Sequence, residues 1–195
     1  HSCDKDVFPD KESVARYFED YARMIDAPVR TGVEVFAVDP LLGQTGFHIR
    51  TAHGEMRARH IVAATGPFQA PAIPPLVPES APVLQMHSTA YRNPGALPDG
   101  AVLVVGGGSS GAQIAAELQR AGRKVYLSIG PHDRPPRRYR GRDNVWWLGV
   151  LGKWNMDTPG PGTEHVTIAV SGADGGTTVD FRRLAESGIT LLGMT

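Results

Sequence analysis

Residues 101–118 read Ala101-Val102-Leu103-Val104-Val105-Gly106-Gly107-Gly108-Ser109-Ser110-Gly111-Ala112-Gln113-Ile114-Ala115-Ala116-Glu117-Leu118. An apolar run, a glycine cluster and a stretch of helix formers predict a strand, a tight turn and a helix. Gly106, Gly108 and Gly111 fall in GxGxxG order. In that order the first glycine takes the tight turn, the second lets a pyrophosphate approach the backbone, and the third lets the helix pack closely on the strand. The N–H groups at the start of the helix then face the phosphates. A second apolar run, Lys124-Val125-Tyr126-Leu127-Ser128, arrives where a βαβ unit requires its next strand. The expectation is an α/β fold with a Rossmann-like nucleotide domain; the alternative is a glycine turn in some other α/β unit.

The end of that second strand bears on which nucleotide is held. Sites that prefer NAD usually end it in Asp or Glu, which binds the ribose hydroxyls. Here it ends Leu127-Ser128-Ile129-Gly130, and no carboxylate follows until Asp133. Arg134, Arg137, Arg138 and Arg140 come next, and guanidinium forks suit phosphate oxygens. NADPH is expected over NADH.

Outward from this core, Asp10 is expected to cap a helix whose apolar face is Val14, Tyr17, Phe18, Tyr21, Ala22 and Ile25, ended by Pro28. Strands are expected at 33–38, 47–51 and 57–64, broken at Asp39-Pro40 and His53-Gly54. Prolines from Pro67 to Pro98 mark a connector in which regular structure cannot run long. Beyond the βαβ unit, 133–142 reads as a loop, 145–154 as a short helix carrying Trp146, Trp147 and Trp154, and 157–162 as a turn. A strand at 165–170, a helix at 181–187 and a strand at 189–192 follow. The expected domains are 1–97 and 98–195.

Twenty basic and twenty acidic residues among 195 cancel, so no global field draws the chain to nucleic acid or to a membrane surface. Apolar runs fall short of the roughly 18 residues of a membrane span, and no secretory leader is evident. The expected compartment is the cytoplasm, and the expected partners are small molecules. One cysteine, Cys3, offers no internal disulfide and no thiolate metal cluster; no metal site is expected, and redox chemistry falls to a cofactor. The absence of an initial methionine and the strand-like ending at 189–192 read as a fragment of a longer polypeptide.

A further signal is Ile61-Val62-Ala63-Ala64-Thr65-Gly66 followed by Pro67-Phe68-Gln69-Ala70-Pro71. An apolar strand ending in Ala-Thr-Gly before a proline-fixed turn resembles the passage from the FAD domain to the NADPH domain in two-dinucleotide flavoproteins. Together with Asp6-Val7-Phe8-Pro9, His87-Ser88-Thr89-Ala90-Tyr91 and Pro136-Arg137-Arg138-Tyr139-Arg140-Gly141-Arg142-Asp143, it makes nearly the whole chain similar to a middle piece of a flavin-containing monooxygenase, in the branch associated with cation efflux. His87 and Tyr91 match the second half of that family's FxGxxxH fingerprint; Ala81 and Val83 stand where its Phe and Gly would be.

The resemblance implies a Rossmann-like NADPH domain preceded by the β-rich end of an FAD domain, with FAD and NADPH as cofactors. It implies that Gly106, Gly108, Ser109, Ser110 and Gly111 hold the NADPH pyrophosphate and that Arg137 or Arg138 approaches the 2′-phosphate. Thr65 and Gly66 would lie by the FAD, with the Val35 backbone at its adenine. His87 is the one catalytic candidate, against a packing role. The implied activity is oxygenation of a small nitrogen- or sulfur-containing or ketone substrate by molecular oxygen through a hydroperoxyflavin; a homodimer is the assembly to be expected, if any. The FAD pyrophosphate turn is expected on an earlier segment, so the fragment alone should be inactive. Two alternatives stay open: an NADP-binding sensor associated with a transporter, and a flavin-dependent reductase that does not oxygenate.

Overall fold

The computed structural model describes residues 8–66, 70–78, 80–131, 134–157 and 169–194. By mutual packing the chain divides into two units, Pro9–Ala70 and a second comprising Phe8 and the chain from Pro71 onward.

The first unit opens with α1 (Lys11–Met24). The Asp10 carboxylate accepts a 2.7 Å hydrogen bond from the Ser13 N–H. Hydrogen bonds from the Ser13 hydroxyl and backbone hold the Asp10 carboxyl below its ordinary range. The helix stops ahead of Pro28, where Asp26 turns to φ 48°. Its apolar side chains Tyr17, Phe18 and Tyr21 are exposed. Three strands follow, β1 (Val35–Pro40), β2 (Phe47–Thr51) and β3 (Gly54–Ala58), as an antiparallel meander with β2 in the centre.

Two sequence expectations are corrected in this meander. β1 runs through Asp39-Pro40, which was expected to break it; Pro40 is tolerated because it ends an edge strand, opposite Phe47. β3 lies at 54–58 and not at 57–64. Its ladder begins at Thr51↔Gly54 and is exhausted at Phe47↔Ala58, since β2 begins at Phe47. The apolar run 61–64 therefore forms no ladder among the described residues, and Val62 is 88% exposed.

The second unit contains β4 (Val102–Val105), α2 (Ser109–Arg120) and β5 (Val125–Ser128), the βαβ unit expected from sequence. Next come a hairpin of β6 (Arg138–Tyr139) and β7 (Arg142–Asp143), then α3 (Asn144–Val150), α4 (Phe181–Glu186) and β8 (Thr190–Leu192). The parallel sheet has the order β4-β5-β8, with Val104 beside Leu127 and Leu127 beside Leu191. This is the strand order of one mononucleotide-binding half of a doubly wound sheet. The hairpin corrects the loop expected at 133–142. Its turn residues Arg140 and Gly141 take φ of 49° and 71°, the paired left-handed conformation that a two-residue hairpin needs. The turn expected at 157–162 and the strand expected at 165–170 lie mostly outside the described residues; Val170 makes an isolated bridge to Thr178.

Ala112, Ala115 and Leu118, three apart on α2, pack on Val125 and Leu127 of β5, with Phe181 of α4 and Ile189 completing the core. On the opposite face Leu103 and Val105 are each 48% exposed, while Ser128 at the end of β5 is buried. α2 reaches its strand because of Gly111, where an added Cβ would stand 1.9 Å from the Gly106 carbonyl oxygen. Helix propensity alone would make Gly111→Ala stabilising by about 1 kcal/mol. The collision instead predicts a loss of about 3 kcal/mol or more, read from urea unfolding. Leu118→Ala, wholly buried, is expected to cost about 2–5 kcal/mol.

Candidate functional site

The glycine turn joins β4 to α2. Gly106 takes φ 104°, and its N–H donates to the Ser128 carbonyl at 2.9 Å, so the turn is tied to the end of β5. Gly107 has no room for a side chain: a Cβ would lie 2.9 Å from Ile129 Cγ2 and 3.1 Å from Phe181 Cζ. Gly108 is the N-cap in extended conformation, and no side chain caps the helix. The first turn of a helix presents N–H groups with no intrahelical acceptor, and its dipole favours an anion there. No acidic residue lies in the first turn of α2. A cradle whose walls exclude Cβ atoms and whose helix end lacks a side-chain cap fits the pyrophosphate of a dinucleotide.

Ser109 and Ser110 begin α2. The Ser109 hydroxyl accepts from the Val170 N–H at 3.1 Å, and Gln113 donates to the Ser171 hydroxyl at 2.9 Å, so this end of the helix is laced to 170–171. At the end of β5, Ser128 is buried and donates its hydroxyl to the Gly193 carbonyl at 2.8 Å. An open cleft of about 140 Å³ runs along the side of α2, lined by residues such as Arg120 and Arg183; it falls below the roughly 300 Å³ of an ordinary ligand pocket.

The arginines separate into different environments. Arg137 Nε donates to the Asp143 carboxylate at 2.8 Å, with side-chain exposures of 11% and 28%. Its guanidinium lies 4.6 Å from the centre of the Phe8 ring, and its backbone N–H donates to Thr178. It ties the hairpin to the segment around 178. Arg138 is exposed on β6, and Arg140 lies over the Tyr139 ring. The Arg134 guanidinium lies 5.0 Å from the centre of the Phe181 ring.

His87 sits in a turn. Its Nδ1 accepts from the Thr89 N–H at 3.2 Å, with the Thr89 hydroxyl at 2.9 Å. Nδ1 thus serves as acceptor, which leaves the ring proton on Nε2 when the imidazole is neutral. Tyr91, four residues on, packs against the core and donates its hydroxyl to the Glu117 carboxylate at 3.0 Å. Thr65 and Gly66 end the described segment 8–66, with Gly66 at φ 77°, and Val35 lies on edge strand β1. The structure thus gathers Gly106, Gly108, Ser109, Ser110 and Gly111 at one turn, whereas Val35, Thr65 and Gly66 belong to the other unit.

Sequence reasoning missed three contacts: Phe8 with Arg137, Tyr91 with Glu117, and Phe181 against Gly107. The Arg137–Asp143 pair had a local signal, a carboxylate six residues away that a hairpin returns. Tyr91 and Glu117 are 26 apart, and no spacing rule joins them.

Burial, and then the hydrogen bond to the negative Glu117, push the Tyr91 hydroxyl up from 10.0 to about 12. A proton held more tightly in the folded chain stabilises it below pH 10, and that contribution is lost as pH rises through 12. Unfolding free energy should therefore fall more steeply between pH 10 and 12 for the parent than for Tyr91→Phe; equal slopes would detach Tyr91 from this effect. Arg137→Ala, which leaves Asp143 without its charged donor, should cost about 2 kcal/mol by urea unfolding.

Comparison with known proteins places these features. Residues 2–141 match the family model described as pyridine nucleotide-disulphide oxidoreductase. A CzcO-like oxidoreductase of Geobacillus kaustophilus is 41% identical over 155 residues, covering 78% of this chain and 44% of that protein. The flavin-containing monooxygenase FMO GS-OX1 of Arabidopsis thaliana is 30% identical over 135 residues, covering 65% of this chain and 29% of that protein. Among solved structures, a flavin monooxygenase from Stenotrophomonas maltophilia shares the fold, with a TM-score of 0.62, 21% identity and coverage of 99% of this chain and 58% of that one. The chain spans less than half the length of the Geobacillus and Arabidopsis relatives.

Proposed function

The chain belongs to the pyridine nucleotide-disulphide oxidoreductase family, and from that footing we propose that it comprises the end of the FAD domain and the NADPH domain of an FAD- and NADPH-dependent flavin monooxygenase. FAD and NADPH are the cofactors that membership implies. The observation that carries the reading is the glycine turn, where Gly111 admits no Cβ and α2 begins without a side-chain cap.

In this reading Gly106, Gly108, Ser109, Ser110 and Gly111 hold the NADPH pyrophosphate through backbone N–H groups. The basic stretch after β5 meets the 2′-phosphate, as the absence of a carboxylate at Ser128 favours. Thr65, Gly66 and the Val35 backbone lie by the FAD. His87, with Nδ1 engaged by Thr89, offers an Nε2–H donor to whatever approaches it. When bound, the flavin supplies the redox and oxygen-activating chemistry. The protein's tasks are to orient the nicotinamide, exclude water and admit a small amine, thioether or ketone together with molecular oxygen. No helix among the described residues is long and apolar enough to cross a membrane; the proposed setting is the cytoplasm, and the proposed assembly is a homodimer.

Expression of the complete reading frame tests this. A flavin absorption spectrum, NADPH consumption stimulated by an amine, thioether or ketone, and an oxygenated product are the expected results. NADPH consumption without oxygenated product would make the protein a reductase. NADPH binding without turnover would make it a sensor, and a colourless protein that never consumes NADPH would overturn the enzyme reading.

A further inference from the structure

Five arginines, Arg134, Arg137, Arg138, Arg140 and Arg142, lie between β5 and α3 among the described residues, and the structure gives them unequal surroundings. Arg137, on sequence grounds a ligand of the 2′-phosphate, has its Nε on Asp143 and its plane on Phe8, and its side chain is largely buried. Its Nε is committed to Asp143 and the side chain is only 11% exposed, so little of the guanidinium is open to a phosphate in solvent. Ser128, at the strand end where an acid would read the ribose hydroxyls, is buried and spends its hydroxyl proton on Gly193. Arg134 differs from both. It is exposed, and its guanidinium rests on the Phe181 ring at 5.0 Å. The far edge of that ring, Cζ, lies 3.1 Å from the point where a Gly107 Cβ would be. One buried ring thus occupies the space where a Gly107 side chain would go and carries an arginine.

We propose that Arg134, held on Phe181 beside the glycine turn, is the residue that selects NADPH over NADH through the 2′-phosphate, and that Arg137 is a buttress for the hairpin. The assignment rests on the glycine turn being a dinucleotide site. Stacking on Phe181 restricts the guanidinium before the ligand arrives, which lowers the ordering cost of a bidentate phosphate contact. Phe181 is in turn fixed by the core, so a position set by packing is passed to a side chain in solvent.

The test measures equilibrium binding to the 195-residue chain by calorimetry, with adenosine 2′,5′-bisphosphate and 5′-AMP as probes that differ only in the 2′-phosphate. The parent should bind the bisphosphate at least roughly tenfold more tightly. Arg134→Ala should bring the two affinities together while leaving 5′-AMP binding and the unfolding midpoint unchanged. Arg137→Ala should lower the unfolding midpoint and keep the affinity ratio, and Arg134→Lys should restore part of it. A ratio that survives Arg134→Ala, or that collapses in Arg137→Ala without loss of stability, overturns the assignment. Equal binding of both probes by the parent overturns it while sparing the nucleotide site. Binding of neither overturns the nucleotide reading itself and takes this assignment with it.

Discussion

The carbonyl oxygen of Gly106 and the α-carbon of Gly111 share a space that admits no further atom, since a Cβ on Gly111 would come within 1.9 Å of that oxygen. The rest of the nucleotide unit depends on this approach. It lets α2 lie low enough for Ala112, Ala115 and Leu118 to reach Val125 and Leu127. It also aims the start of the helix at the mouth of the turn. Stability and ligand geometry are therefore set by the same pair of glycines, so a change there alters both together.

What the chain showed in advance was whatever depends on local periodicity. The strand, turn and helix at 102–120, the second strand at 125–128 and β2 at 47–51 follow from short apolar runs with glycine punctuation, and the structure has them at those places. The same logic erred where pairing length decides. The run 61–64 is as apolar as a strand, but the neighbour β2 begins at Phe47 and supplies no partner beyond Ala58. Arg140-Gly141 was concealed for another reason: a non-glycine residue with φ 49° does not announce a hairpin turn as Asn-Gly would.

The candidate site was half legible. Its glycines stand in a motif whose spacing has a mechanical meaning, so they could be named from sequence. The arginines could only be counted, because a guanidinium in an ion pair and one exposed on an aromatic ring look alike in a string of letters. Phe8 stacking on Arg137 and Phe181 abutting Gly107 draw on residues 129 and 74 positions apart in the chain. Such contacts follow from the completed fold and leave no local trace.

The sheet order also bears on how the protein comes to be folded. Val102 and its partner Val125 are 23 residues apart, whereas Tyr126 and Thr190 are 64 apart. Closing the longer loop costs about 1 kcal/mol more in chain entropy. The first two strands and α2 can thus assemble well before β8 exists on a growing chain. Through that interval the central strand β5 presents a bare hydrogen-bonding edge, a template for any extended segment nearby. While residues 129–189 are being synthesised, β8 is not yet there to cover that edge.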